Sequence, residues 1–147
     1  MESWELVARE TIRELVARYA HGVDRGRFDE VAALFADDGV LELPEGRRLT
    51  GPNAIREFLG GTRDTLRAGA TSPLIRHHVA SHRIDVEGPD GAVGYAYFLV
   101  VTGGGPDHWG RYVDRYVRAG NRWCFAARRV RLDGRATDLR AAERRQP

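Results

Sequence analysis

Lysine is absent from this chain, and its 23 strongly basic side chains are all arginine. Schiff-base catalysis and a phosphate-cradling P-loop both need a lysine, so both are excluded. Cys124 is the single cysteine, which rules out an internal disulfide and fits a reducing compartment. Only Ser3, Ser72 and Ser81 are serines, and none stands in a nucleophile-elbow motif. No apolar run approaches the ~20 residues needed to cross a bilayer, so no membrane association is expected. The opening stretch MESWELVARE is acidic, unlike a signal peptide, and a cytoplasmic location is the expectation. The formal charge of +2 resides in the tail, where Arg135, Arg140, Arg144 and Arg145 face only Asp138 and Glu143. A neutral body offers nucleic acid no basic face, so none is expected as a partner.

What is present suits one domain over residues 1–134, followed by a polar tail over 135–147 that has no apolar face and is expected to be mobile. Ala8, Ile12, Leu15, Val16, Tyr19 and Val23 recur at helical spacing, and Gly22 and Gly26 are expected to break that helix. Phe28 to Phe35 reads as a second short helix, ended by Asp37-Asp38-Gly39. Val40 to Leu43 and Arg47 to Leu49 read as two short strands around a tight turn. Pro52 opens a third helix, with Ala54, Ile55, Phe58, Leu59, Thr62 and Leu66 inward and an end near Gly69.

After Ser72-Pro73 the period changes from helix to strand. Arg76 to Glu87, Ala92 to Thr102, His108 to Ala119 and Arg122 to Asp133 form four long antiparallel strands. Helices followed by such strands predict an α+β fold, a cone-shaped curved antiparallel sheet whose N-terminal helices close a pocket. Gly94 and Gly110, inside strands, are expected kinks.

The reactive side chains concentrate in RHHVASHRIDVE, Arg76 to Glu87. Strict alternation puts His78, Ala80, His82, Ile84 and Val86 on the apolar face, and His77, Ser81, Arg83, Asp85 and Glu87 on the other. On that reading His78 and His82 point inward. They would stand about 13 Å apart at ~3.3 Å per residue, too far to share a zinc, and no metal is expected. A carboxylate partner fits better, and Asp24, in the break HGVDRGRF, is the candidate. Asp24 also reads as a plain turn former, and His82 as a hydrogen-bonded core histidine. Tyr95, Tyr97, Tyr112 and Tyr116 are candidate pocket phenols, but alternation does not decide which face of His108 to Ala119 looks inward. Arg128 is expected to pair with an acid, Trp123 and Phe125 to pack under the helices, and Cys124 to be a small buried hydrophobe.

The runs IRELVARYAHGVDRGRFDEVAALFADDGVLEL, RHHVASHRIDV and GRYVDRYVRAGNRWCFAARRV resemble the SnoaL-like branch of the nuclear transport factor two-like superfamily, over roughly Glu5 to Asp133. That superfamily includes scytalone dehydratase, bile-acid dehydratase, polyketide cyclases and small subunits of ring-hydroxylating dioxygenases. The resemblance implies a cystatin-like cone. It also implies a catalytic set in which Asp24 orients His78 as general acid/base and Tyr19 matches a tyrosine five residues before the aspartate. Leu43 and Ala96 stand where scytalone dehydratase carries a tyrosine and a second histidine, a departure from that enzyme's pattern.

The expected activity is that of a cofactor-independent lyase or isomerase, of dehydratase or cyclase type, on a small hydrophobic carbonyl compound. Asp24, His78 and Tyr19 would carry the chemistry, and His82, Tyr95, Tyr97, Tyr112 and Tyr116 would line the pocket. Epoxide-type hydrolysis in the same pocket, a non-catalytic binding module and a dioxygenase subunit are the alternatives. Val79, Trp109 and Val117 on the outer sheet face would favour a homodimer, or else a trimer.

Overall fold

A computed structural model describes residues 1–69 and 74–145, with only the backbone described for residues 65–69. The expected Ser72-Pro73 changeover and the inward side chain of Leu66 lie outside the described residues. The chain runs α1 (Ser3–Arg25), α2 (Phe28–Ala32), β1 (Phe35–Glu42), β2 (Arg48–Thr50), α3 (Pro52–Gly69), β3 (Ile75–Val86), β4 (Gly91–Thr102), β5 (Gly105–Ala119), β6 (Arg122–Arg135) and α4 (Ala136–Glu143).

The apolar stripe of α1 is buried as its spacing requires, through Ala8, Ile12, Leu15, Val16 and Tyr19. Gly22 does not break the helix. A Cβ there would stand 2.6 Å from Val31 Cγ2, so the glycine lets α2 pack closely against α1, and the helix ends at the Gly26 cap. Phe35 belongs to β1 rather than to a helix, and the residues read as a turn, Asp37 to Gly39, form an irregular part of that strand. Leu34 C=O accepts the Phe125 N–H, which begins the docking of β1 on β6. α3 continues through Gly60-Gly61 to Gly69, the end expected for it.

The six strands form one open, curved sheet in the order β2-β1-β6-β5-β4-β3. The four long strands are antiparallel neighbours as expected, but β1 lies parallel to β6, so the sheet is mixed. The α+β expectation therefore holds with that refinement. α1 crosses β3, and Arg9 donates to the Ile84 carbonyl to tie the two together. Between helices and sheet lies a core containing Ile12, Val31, Phe35, Ile55 and Phe125, all essentially inaccessible. Each such side chain contributes roughly 1.5–3 kcal/mol by leaving water.

The inner face of β4 and β5 fits together by size. Across the β4–β5 ladder Ala92 pairs with Tyr116, Ala96 with Tyr112, and Phe98 with Gly110, so each large ring stands over a small residue. A Cβ on Gly94 would meet the Tyr116 hydroxyl at 2.6 Å, and one on Gly110 the Arg131 carbonyl at 1.9 Å. Gly110 also sits at a register shift against β6, as expected of a kink, whereas Gly94 lies in regular pairing and serves to admit Tyr116. Residues 136–143, read as part of a mobile tail, form the helix α4, none of whose residues is buried.

Candidate active site

Strand β3 does not keep one alternation along its length. Ser81 has φ 52°, and the pairing with β4 shifts between Ala80 and Arg83, so three steps on β3 oppose two on β4. One extra residue exchanges the faces, as any single-residue slip does. Ile75, His77 and Val79 point inward before the bulge, and His82, Ile84 and Val86 after it. The expectation that His78 faces the interior is thereby corrected: His78 is exposed on the outer face, and the inward imidazole is that of His77. Val79 likewise packs against the core rather than showing on the outer face.

Asp24 lies in the last turn of α1, where the helix dipole disfavours a negative charge by roughly 0.3–1 kcal/mol. Its carboxylate is held there by β3. Oδ1 lies 2.6 Å from His77 Nδ1, and the His77 backbone N–H donates to Oδ2 at 3.0 Å. Both side chains are largely buried, at 12% exposure for His77 and 9% for Asp24. An ionised carboxylate only accepts, so Nδ1 carries the hydrogen and Nε2 is left for the cavity that His77 lines.

That cavity has a volume of about 180 Å³. Leu41, Leu43, Phe58, Phe98, Val130 and Leu132 supply much of its apolar wall, and Tyr19, Tyr112, His77, His108 and Arg135 supply the polar groups. The inward face of β5 is thus the one bearing His108, Gly110, Tyr112, Asp114 and Tyr116. Tyr19 and Tyr112 meet edge to face at 6.2 Å, and Phe98 stacks on Tyr112 at 4.7 Å.

Beneath these rings lies a buried ion pair. Arg128 donates through Nε to Asp114 Oδ1 at 3.0 Å and through Nη2 to Oδ2 at 2.8 Å, and both residues are almost wholly inaccessible. Its guanidinium carbon stands 3.9 Å from the Tyr112 ring centre, 4.3 Å from that of Tyr19 and 4.4 Å from that of Phe125. Among the described residues Nη1 has no hydrogen-bond partner, and the ring faces compensate it electrostatically. Burial opposes the Arg128 charge, yet the Asp114 carboxylate raises its pKa above the ordinary value. Burial also raises the pKa of Tyr19 and Tyr112, so both remain neutral phenols able to donate a hydrogen bond.

The remaining expected residues divide. Tyr116 is buried and donates to Asp114 Oδ2 at 2.8 Å, and His82 Nε2 lies 3.1 Å from the same hydroxyl. These two belong to the polar network below the cavity and do not line it. Tyr95 and Tyr97 are corrected outright: at 45% and 60% exposure they lie on the outer face of β4, opposite Ala92, Ala96, Phe98 and Val100. Sequence reasoning missed His77, His108 and Arg135. His108 shares its face with Tyr112, a signal that the strand alternation already carried, whereas its pairing with Arg135 follows from β6 running past Asp133 into the stretch read as tail. Among the described residues no group of three His, Cys, Asp or Glu side chains is placed to hold a metal ion, and no helix is long and apolar enough to cross a membrane.

An open curved sheet closed on one face by helices defines a cystatin-like α+β protein. The model of the SnoaL-like domain matches residues 4–129, and the chain belongs to that family. No curated protein matches its sequence. Among solved structures it is similar to a candidate scytalone dehydratase from Novosphingobium aromaticivorans, with 23% identity, 91% of this chain and 89% of that one covered, and a TM-score of 0.77. An NTF2-like protein with a cystatin-like fold from the same organism is 27% identical over 92% of this chain and 88% of its own, with a TM-score of 0.77. The beta subunit of a candidate aromatic-ring-hydroxylating dioxygenase, also from that organism, is 21% identical over 88% and 92%, with a TM-score of 0.71. One fold thus carries names of different kinds, and activity must be argued from the site.

Proposed function

We propose that this protein is a cofactor-independent lyase or isomerase acting on a small, monocyclic carbonyl compound, with His77 as general acid/base and Asp24 as its orienting carboxylate. The observation that carries this reading is the 2.6 Å Asp24–His77 contact beside an apolar cavity. His77 Nε2 takes a proton from the carbon next to the carbonyl, and the C–H electron pair moves into an enolate. A phenol of Tyr19 or Tyr112, kept neutral by burial, donates to the enolate oxygen. The imidazolium, stabilised by Asp24, then returns the proton. Delivered to a β-hydroxyl it releases water, and delivered to another carbon it completes an isomerisation. The space of about 180 Å³ is below the ~300–1,000 Å³ of drug-sized sites, which favours one ring over a fused ring system.

The test uses the first proton transfer alone. Cyclic ketones and β-hydroxyketones are incubated with protein in D₂O, and deuterium entry next to the carbonyl is followed by NMR. Catalysed exchange in wild type that disappears in His77→Ala supports the reading; exchange unchanged in His77→Ala, or none with any ketone, rejects it. The outer sheet face bearing Tyr95 and Tyr97 would pack against a second copy of the chain, which light scattering of wild type and Tyr97→Glu would read as a dimer and a monomer.

A further inference from the structure

The polar groups of the cavity are not evenly distributed in charge. Among the described residues no carboxylate lines it: Asp24 lies behind His77, and Asp107 holds His108 Nδ1 at 2.7 Å. Arg135 lines the same cavity, and no acid among the described residues pairs with it. This contrasts with its β6 neighbours, since Arg128 is paired with Asp114, and Arg129 and Arg131 both reach Glu42. Arg135 and His108 occupy paired positions on β6 and β5, and Phe98 stands edge-on to His108 at 6.0 Å. Arg135 is exposed, so the cavity combines an apolar wall with a water-accessible guanidinium that no acid among the described residues neutralises.

From this arrangement we infer that the cavity selects a ligand bearing a carboxylate on a small ring, with Arg135 as the residue that recognises the anion. Guanidinium is the side chain whose planar fork matches a carboxylate in two parallel hydrogen bonds. The ring of such a ligand fits against Leu41, Leu43, Phe58 and Leu132, and about 180 Å³, the share of roughly six waters, accommodates one ring and little more. His108, adjacent to Arg135 in the ladder, lies on the same cavity and is steadied by Asp107. The inference rests on the cavity assigned above as the active site, and it narrows the substrate class to monocyclic keto- or hydroxy-acids.

The experiment measures binding rather than turnover. Benzoate and benzamide have the same size and shape and differ in charge, and titration of each into wild type, Arg135→Gln and Asp24→Asn is followed by protein NMR. The expected result is that wild type binds benzoate at least ten times more tightly than benzamide. Arg135→Gln should lose that preference while binding benzamide unchanged, and Asp24→Asn should keep it. Equal binding of the two in wild type, binding of neither, or a preference that survives Arg135→Gln overturns the inference. A retained preference in a protein that exchanges no carbon-bound proton would defeat the acid/base reading and leave the anion site standing.

Discussion

His77 and Asp24 are joined twice, once through the imidazole Nδ1 at 2.6 Å and once through the His77 backbone N–H at 3.0 Å, so one carboxylate fixes both the strand and the ring it carries. The double attachment sets the tautomer of His77 and seats the end of α1 against β3. It also separates two adjacent histidines by role. His77→Gln should lower proton exchange by about 10²- to 10⁴-fold, the span of a lost general acid/base. His78→Gln, on the outer face, should leave it within about twofold. The reverse pattern would return the assignment to His78.

The same geometry predicts that the two functions of Asp24 come apart. Asp24→Asn keeps an oxygen for the His77 N–H but removes the charge that stabilises an imidazolium, so exchange should fall while the urea midpoint barely moves. Asp24→Ala also leaves a part-buried N–H without its acceptor, at a cost of roughly 1–3 kcal/mol. Equilibrium denaturation of both variants reads the difference directly.

Ser81 makes the arrangement at His77 possible, because its left-handed backbone absorbs the extra residue of β3. A β-branched side chain in that region is strained by about 1–2 kcal/mol. Ser81→Val should therefore lose that much stability and blur the Asp24–His77 contact, whereas Ser81→Gly should fold normally. Activity of Ser81→Val equal to wild type would show that the bulge is not needed to position His77.

Much of this was legible in the sequence wherever periodicity was long and unbroken. The stripe of α1, the three pairings of the four long strands and the buried Arg128 with an acid partner all follow from spacing and from the cost of burying charge. Asp24 was also legible as the carboxylate in the break HGVDRGRF that follows the amphipathic stripe, although the helix runs on through it to Arg25. The inward histidine was not. Alternation counted from Ile84 is right back to His82 and wrong beyond it, because a serine carries no mark of the bulge that a glycine would have suggested. Tyr95 and Tyr97 failed for a different reason: aromatic rings were expected in the pocket, but the inner face of β4 is small at Ala92, Gly94 and Ala96, where Tyr112 and Tyr116 lie over it. The helix α4 buries none of its residues, and so gave no apolar pattern to read.

Arg128 and Asp114 should show the asymmetry of buried pairs. Asp114→Asn or Arg128→Met alone leaves one charge buried without its partner, at a cost of roughly 3–5 kcal/mol. Replacing both by apolar residues should cost less than the sum of the two single changes, since no charge then remains. The double-mutant cycle in urea measures the coupling, and additive losses would mean that the two residues act independently.

The last prediction concerns pH. Tyr116 has one proton and donates it to Asp114, so toward His82 it can only accept, and His82 must carry its hydrogen on Nε2. Burial lowers the His82 pKa below its ordinary 6.5; Asp114 pulls it back, and Arg128 and Arg13 push it further down. A group that is harder to protonate when folded leaves the unfolded chain binding more protons between the two pKa values. Stability from His82 is thus complete above about pH 6.5 and declines as the pH falls through the window below it. The urea midpoint of wild type should drop across that window. His82→Gln keeps an N–H donor for Tyr116 but cannot titrate, so its midpoint should fall less over the same range, and parallel curves for the two proteins would exclude His82 as the group responsible.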